Sequence, residues 1–126
     1  MTTTRDVHVG PHALPGRLAP PAAGHGLVLF AHGSGSSRLS PRNREVAHAL
    51  EAAGHGTLLF DLLTEEEARD RRRVFDIPLL AGRVGEAIAW CDGEADLRGL
   101  PLGLFGASTG AAAALAAAAT RPARVA

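Results

Sequence analysis

Two short stretches of the chain hold side chains whose types and spacing could do chemistry. The first is Gly106-Ala107-Ser108-Thr109-Gly110, a serine with a glycine two positions away on either side, set between an apolar run and an alanine-rich one. If those runs are a strand and a helix, the pattern acquires a mechanism. A tight strand-to-helix turn forces Ser108 into a strained backbone conformation, and glycines at 106 and 110 remove side chains that would collide with the strand and the helix. The hydroxyl is left exposed above the sheet. The N–H of Thr109, at the helix start, is aimed toward the oxygen that turns negative when Ser108 attacks a carbonyl. The plainer reading is a glycine-rich turn with Ser108 as an N-cap. The second stretch, His32-Gly33-Ser34-Gly35-Ser36-Ser37, follows directly on the apolar run Leu27 to Ala31. The carboxyl end of a strand is where open α/β folds place their ligands. The plainer reading of this stretch is an anion-binding nest or a simple turn.

The elements that must position these stretches are legible from period and punctuation. Three apolar runs, Leu27 to Ala31, Thr57 to Leu62 and Leu102 to Phe105, have the lengths of strands covered on both faces. Ser40-Pro41 starts a helix, with Ser40 as N-cap and the proline at the first helical position. Val46, Ala49, Leu50 and Ala53 form its apolar stripe, and Gly54 ends it. Asp76 caps a second helix, with stripe Ile77, Leu80, Ala81, Val84, Ala87, Ile88 and Cys91 and a stop at Gly93. Thr109 to Thr120 is a third, nearly all alanine and closed by Pro122. Strand and helix alternate, so the fold class is α/β: an open, mostly parallel sheet with helices on both faces. Ahead of it, Val7 to Val9 and Leu14 to Leu18 flank Gly10-Pro11 and predict an antiparallel pair. Arg124-Val125-Ala126 reads as the start of a further crossover strand, which leaves the sheet unfinished. Glu65 to Arg73 reads as a solvated helical face, with Glu65/Arg69 and Glu67/Arg71 paired at i, i+4.

Composition excludes several classes. With 126 residues, the chain suits one modest domain. The 13 basic residues, all arginine, balance 13 acidic ones, so there is no electrostatic footprint for nucleic acid. The absence of lysine rules out a Walker-type phosphate loop and Schiff-base chemistry. Cys91 is the lone cysteine and reads as a small core residue, and no metal cluster or cofactor is expected. The longest apolar run, Ala111 to Ala119, is too short to cross a bilayer, and residues 1–9 do not read as a secretory signal; the expectation is a cytoplasmic protein without membrane partners. Gly103, Gly106 and Gly110 could be taken as a dinucleotide-binding turn, but the acidic residue that would hold a ribose is missing.

The two loops, with the segments LVLFAHGSGSSRLSPRN (27–43), GTLLFDLLTEEE (56–67), FDIPLLAGRV (75–84) and GLFGASTGAAAA (103–114), resemble the α/β-hydrolase superfamily, and within it the dienelactone-hydrolase-like branch. The resemblance runs from about residue 24 to the end, and more weakly from residue 7. It implies an incomplete three-layer α/β-hydrolase sandwich and a serine hydrolase that cleaves a small-molecule ester, lactone or related carbonyl through an acyl-enzyme. Ser108 would be the nucleophile, and the N–H groups of Ser34 and Thr109 the oxyanion hole. The founding dienelactone hydrolases carry cysteine where this chain has Ser108, so dienelactone itself is not implied as substrate.

Chain order sets a further expectation. In this fold an acid and then a histidine follow the nucleophile, whereas residues 109–126 contain no Asp, Glu or His and all six histidines lie upstream. His32 alone falls near the expected site, where a role in shaping the loop is the favoured reading. Residues 1–126 thus read as the N-terminal portion of one hydrolase domain, with the triad acid and histidine beyond it. The alternative is an inactive relative that serves as a binding or interaction module. An unfinished sheet also predicts an exposed edge and self-association.

Overall fold

The computed structural model describes residues 4–121, 124 and 125. An N-terminal hairpin pairs β1 (Arg5–Val9) with β2 (Leu14–Ala19) in antiparallel register, Val9 opposite Leu14. The turn between them uses positive φ at Gly10 and Ala13, and its ends are joined by an N–H···O bond from Ala13 to Gly10. Three parallel strands follow: β3 (Leu27–Ala31), β4 (Gly56–Phe60) and β5 (Leu102–Gly106). The five-stranded sheet has the order β1-β2-β4-β3-β5. Its long crossovers are α1 (Pro41–Ala52) and α4 (Ile77–Gly93), with α5 (Thr109–Thr120) after β5. Val125 makes a single parallel bridge to Leu102, on β5.

Side chains alternate across the strands, so each strand serves two layers. Leu27, Leu29, Leu58, Phe60 and Leu102 face α4 and α5 in the larger core, with Val84, Ile88, Cys91, Ala113 and Ala117. Phe30 and Leu59 point the other way, against Ala47 of α1, and Phe105 stacks on Phe30 with ring centroids 5.0 Å apart. The open α/β architecture with helices on both faces is therefore as expected, and the hairpin extends it with antiparallel strands. Cys91 is fully buried in the larger core, as expected, and its apolar surroundings push the thiol pKa up to about 12.

The helix caps follow their sequence signals. The Ser40 side chain accepts from the Asn43 N–H, and Asp76 accepts from the Leu79 N–H. Gly54 takes φ +99° just beyond α1. The stripe expected on α1 is rotated, however: Asn43 and Ala47 are buried, Val46 and Leu50 half-buried, and Ala49 and Ala53 exposed. Alanines carry too little apolar surface to fix a helix face. The bulk of Phe30 and Leu59 selects the side on which the small Ala47 lets the helix approach.

The segment 65–73 also differs from its sequence reading. It is not one solvated helix but two short turns, α2 (Glu65–Ala68) and α3 (Arg71–Val74), capped by Thr64 and Asp70. The pairs Glu65/Arg69 and Glu67/Arg71 do not form among the described residues. Glu67 turns inward, completing a capping box with Thr64 and bonding Arg83 of α4 at 2.7 Å through each carboxylate oxygen. The sequence Thr64-Glu65-Glu66-Glu67 carries the capping-box signature, and that signal outweighs the i, i+4 charge pattern. Among the described residues no helix is long and apolar enough to cross a membrane.

Candidate active site

The parallel strands β4, β3 and β5 lie side by side, and their carboxyl ends deliver three loops to one end of the sheet. Chain order places the crossovers of β3 on opposite sides of it, α1 leading to β4 and α4 bringing the chain back to β5. This is the switch point at which open α/β sheets form a crevice. His32 and Gly33 leave β3, Asp61 to Thr64 leave β4, and Ala107 to Thr109 leave β5.

Ser108 lies between β5 and α5 with φ 57° and ψ −127°, and is exposed. It makes no side-chain cap bond to the helix, so the reading of this serine as an N-cap is set aside. Its backbone is held in a sparsely populated region by the two glycines. A Cβ on Gly106 would come within 2.5 Å of the Gly110 carbonyl oxygen, and one on Gly110 within 2.1 Å of the Ala31 oxygen. Both positions are closed to any side chain. The turn is held by the Gly110 N–H donating to the Ala107 oxygen at 2.9 Å, and the Ala111 N–H to the Ser108 oxygen at 3.0 Å.

The loop after β3 sits directly against this turn. A Cβ on Gly33 would lie 3.2 Å from Ser108 Cβ and 3.1 Å from the Ala107 oxygen. The structure thus brings together the two stretches singled out in the sequence. Among the described residues, no partner receives the backbone N–H of Ser34 or of Thr109, and the Thr109 hydroxyl is buried without one. A cleft of about 240 Å³ adjoins them, walled by Gly33, Thr109, Leu63, Val74 and Leu80 and edged by Asp61 and Glu65.

His32 shapes this loop and is not free to exchange protons. Its Nε2 accepts the Leu62 N–H at 3.0 Å, and its Nδ1 donates to the Gly33 carbonyl at 2.9 Å. Burial lowers its pKa below the ordinary 6.5, against the opposing pull of the Gly33 carbonyl and Asp61. The neutral Nδ1–H tautomer is the form that satisfies both bonds. This capture of the Leu62 N–H also explains why β4 ends at Phe60, two residues short of the expected Leu62. His25 and His55 pack edge to face at the amino ends of β3 and β4, at the far end of the sheet.

The sequence reading left out three contributors. Asp61 accepts both the backbone N–H and the guanidinium of Arg38 at 2.9 Å, which ties the loop after β4 to the loop after β3. Glu65 edges the cleft. Arg83, buried on α4, bonds the Leu62 carbonyl at 3.2 Å as well as Glu67. Its signal was a lone charge inside the apolar stripe between Leu80 and Val84, which only a buried partner can satisfy. Among the described residues no group of histidine, cysteine or carboxylate side chains is arranged to hold a metal.

Sheet, switch point and strained serine turn are those of an α/β-hydrolase-like fold. Comparison with known proteins narrows this. The dienelactone hydrolase of Anabaena variabilis is 52% identical and superposes with a TM-score of 0.90, covering 99% of this chain and 60% of its own. The chain is thus similar to the dienelactone-hydrolase-like branch named from the sequence. A cold-adapted esterase from an Arctic intertidal metagenomic library (20% identity, TM-score 0.70, 97% of this chain and 56% of that one) shares the fold. So does a dienelactone hydrolase-like promiscuous phosphotriesterase from metagenomic libraries (19%, 0.70, 94% and 54%). These structural neighbours are hydrolases. Two Mycobacterium tuberculosis proteins, provisionally named phosphoribosyl transferases, are 57% identical over 113 residues, which is 90% of this chain and 26% of each of them. The chain therefore spans about a quarter of the length of these curated relatives. No family model matches it.

Proposed function

We propose that the chain carries the nucleophile and oxyanion hole of a serine hydrolase acting on a small-molecule ester, lactone or related carbonyl. Ser108 attacks the carbonyl carbon, its hydroxyl proton leaves to a base, and the carbonyl oxygen takes the negative charge within reach of the Ser34 and Thr109 N–H groups. Collapse of this tetrahedral species breaks the C–O bond, the base returns the proton to the departing oxygen, and an acyl-enzyme is left, with the alcohol released from an ester or kept on the acyl chain of an opened lactone. The observation that carries this reading is the backbone of Ser108, held at φ 57° by glycines that admit no side chain, with Gly33 against its Cβ. Both ring nitrogens of His32 are engaged, so the base is a different group. By resemblance the acid and histidine follow α5 in chain order, and residues 1–126 supply the N-terminal portion of the domain.

The transferase name of the mycobacterial relatives belongs to proteins of which this chain spans about a quarter, and the cleft described above does not favour that chemistry. A phosphoribosyl group is anionic, whereas this cleft is edged by Asp61 and Glu65, and the neighbouring Arg38 is engaged by Asp61.

Incubation of the full-length polypeptide, with the acid and histidine that follow α5, with a fluorophosphonate probe tests the proposal. Labelling confined to Ser108 and abolished in Ser108→Ala is the expected result. Absence of labelling in the folded full-length polypeptide, which supplies the acid and histidine, would favour the non-catalytic binding module instead.

A further inference from the structure

We propose that Arg83, clamped by Glu67, is a positioning residue for the Ser34 N–H donor, acting through Leu62 and His32. The inference rests on the reading of Ser34 as an oxyanion donor.

Arg83 holds its charge in an expensive place. The Arg83 side chain is 5% exposed, and Glu67, its partner from α2, is 14% exposed. A buried pair of this kind contributes little net stability, because the loss of hydration offsets the attraction, and apolar residues of like volume commonly serve as well. The position of the pair points to something that two apolar side chains would not supply. Besides its two 2.7 Å bonds to Glu67, and with Glu86 3.5 Å from Nε, the guanidinium donates to the carbonyl of Leu62.

Leu62 is thereby held at both of its backbone polar groups. Its carbonyl accepts from Arg83, and its N–H donates to His32 Nε2. The same imidazole, through Nδ1, holds the carbonyl of Gly33 at 2.9 Å, and the Ser36 N–H donates to that oxygen as well at 3.1 Å. Across a trans peptide the C=O and the following N–H point in opposite directions. A carbonyl of Gly33 drawn toward His32 therefore turns the N–H of Ser34 away from the ring, and among the described residues that N–H has no partner. Gly33 itself abuts Ser108. A continuous train of hydrogen bonds thus runs from the interior of α4 to the donor beside the nucleophile. It requires a planar, multiply donating cation at 83: a lysine reaches the carboxylate or the carbonyl with one point charge but does not reproduce the fork.

The test uses the double variant Arg83→Met/Glu67→Leu, which leaves no unpaired buried charge, together with Arg83→Lys, each made in the full-length polypeptide that supplies the acid and histidine. The rate of fluorophosphonate labelling at Ser108 and kcat with an activated ester should fall about tenfold or more in the double variant, because a misaimed donor no longer meets the developing oxyanion. KM and cooperative melting should be retained, and Arg83→Lys should fall between the two. The His32 ¹⁵N resonances should lose the pattern of a fixed Nδ1–H tautomer in the double variant. A folded double variant that labels and turns over at the wild-type rate overturns the inference. Should the double variant not fold, Arg83→Lys decides, and wild-type labelling with unchanged His32 resonances overturns it. Failure of the wild-type full-length polypeptide to label at all strikes instead at the underlying serine-hydrolase reading.

Discussion

Gly110 shows how a single hydrogen in place of a side chain sets the geometry of the site. The first turn of α5 passes so close to the end of β3 that a methyl group at 110 would reach within 2.1 Å of the Ala31 oxygen and 2.5 Å of the His32 oxygen. Backbone atoms cannot yield as a flexible side chain would, so the helix start has to move. Gly110→Ala is therefore expected to destabilise the fold by about 3 kcal/mol, at the upper end of overpacking costs, and urea denaturation followed by circular dichroism checks this. The same shift carries Ser108 with it. Any Gly110→Ala protein that remains folded should label more slowly at Ser108 than wild type. Gly33 makes a gentler contrast, because its virtual methyl meets Ser108 Cβ and the Ala107 oxygen at 3.1 to 3.2 Å, which a shift of a few tenths of an ångström relieves. The residue pattern Gly-x-Ser-x-Gly was readable in the sequence because this steric demand falls on residue identity itself. His32 was only half readable: its place beside the loop followed from chain order, but its two hydrogen bonds depend on where Leu62 ends up.

At the scale of elements, α2 shows why charge patterns mislead where tertiary contacts compete. Acids followed by bases at i, i+4 along 65–73 suggest a water-facing helix, yet the segment is broken at Arg69-Asp70 and one of its carboxylates is drawn into the protein. Hydrogen bonds from Arg83 and from Thr64 outweigh the cost of burial and lower the pKa of Glu67 from an ordinary 4.5 to about 2. The sign of the pH dependence follows. In the unfolded chain Glu67 takes up its proton near 4.5, whereas the folded state resists protonation until about 2, so its contribution to stability is complete above 4.5 and is lost as the pH falls through about 2. Urea midpoints across this window should drop, and Glu67→Gln should flatten the part of the drop that Glu67 causes. An equal pH dependence in both proteins would show that the pair with Arg83 is not protonation-linked. The other elements were more legible. The strands after residue 26, the caps at Ser40 and Asp76, and the whole of α5 depend on local apolar length, cap chemistry and alanine content, all of which are properties of contiguous residues. The face of α1 was not, because Phe30 and Leu59, distant in sequence, choose it.

For the molecule as a whole, the sheet has one protected edge region and one that is scarcely covered. On the hairpin side, the exposed Asp6 and the partly exposed Arg17 sit opposite each other across the pair, the kind of charged edge that discourages further pairing. On the other side, β5 is hydrogen-bonded to β3 along its length, but among the described residues its outer edge is met only by the bridge from Val125 to Leu102. Arg124 secures that contact by bonding the Leu100 carbonyl and the Asp92 carboxylate. Beyond Leu102, the half-buried stretch Gly103-Leu104-Phe105 presents backbone donors and acceptors with no charged side chain among them. Such an edge templates another strand, either from further along a polypeptide or from a second copy. The 126-residue chain by itself is accordingly expected to self-associate. Sedimentation velocity over a range of concentrations should show species larger than a monomer growing with concentration, with protection from amide exchange appearing at residues 103–105. A single monomeric boundary at all concentrations, with fast exchange at those amides, would mean that twist and the flanking Val125 bridge suffice to blunt the edge.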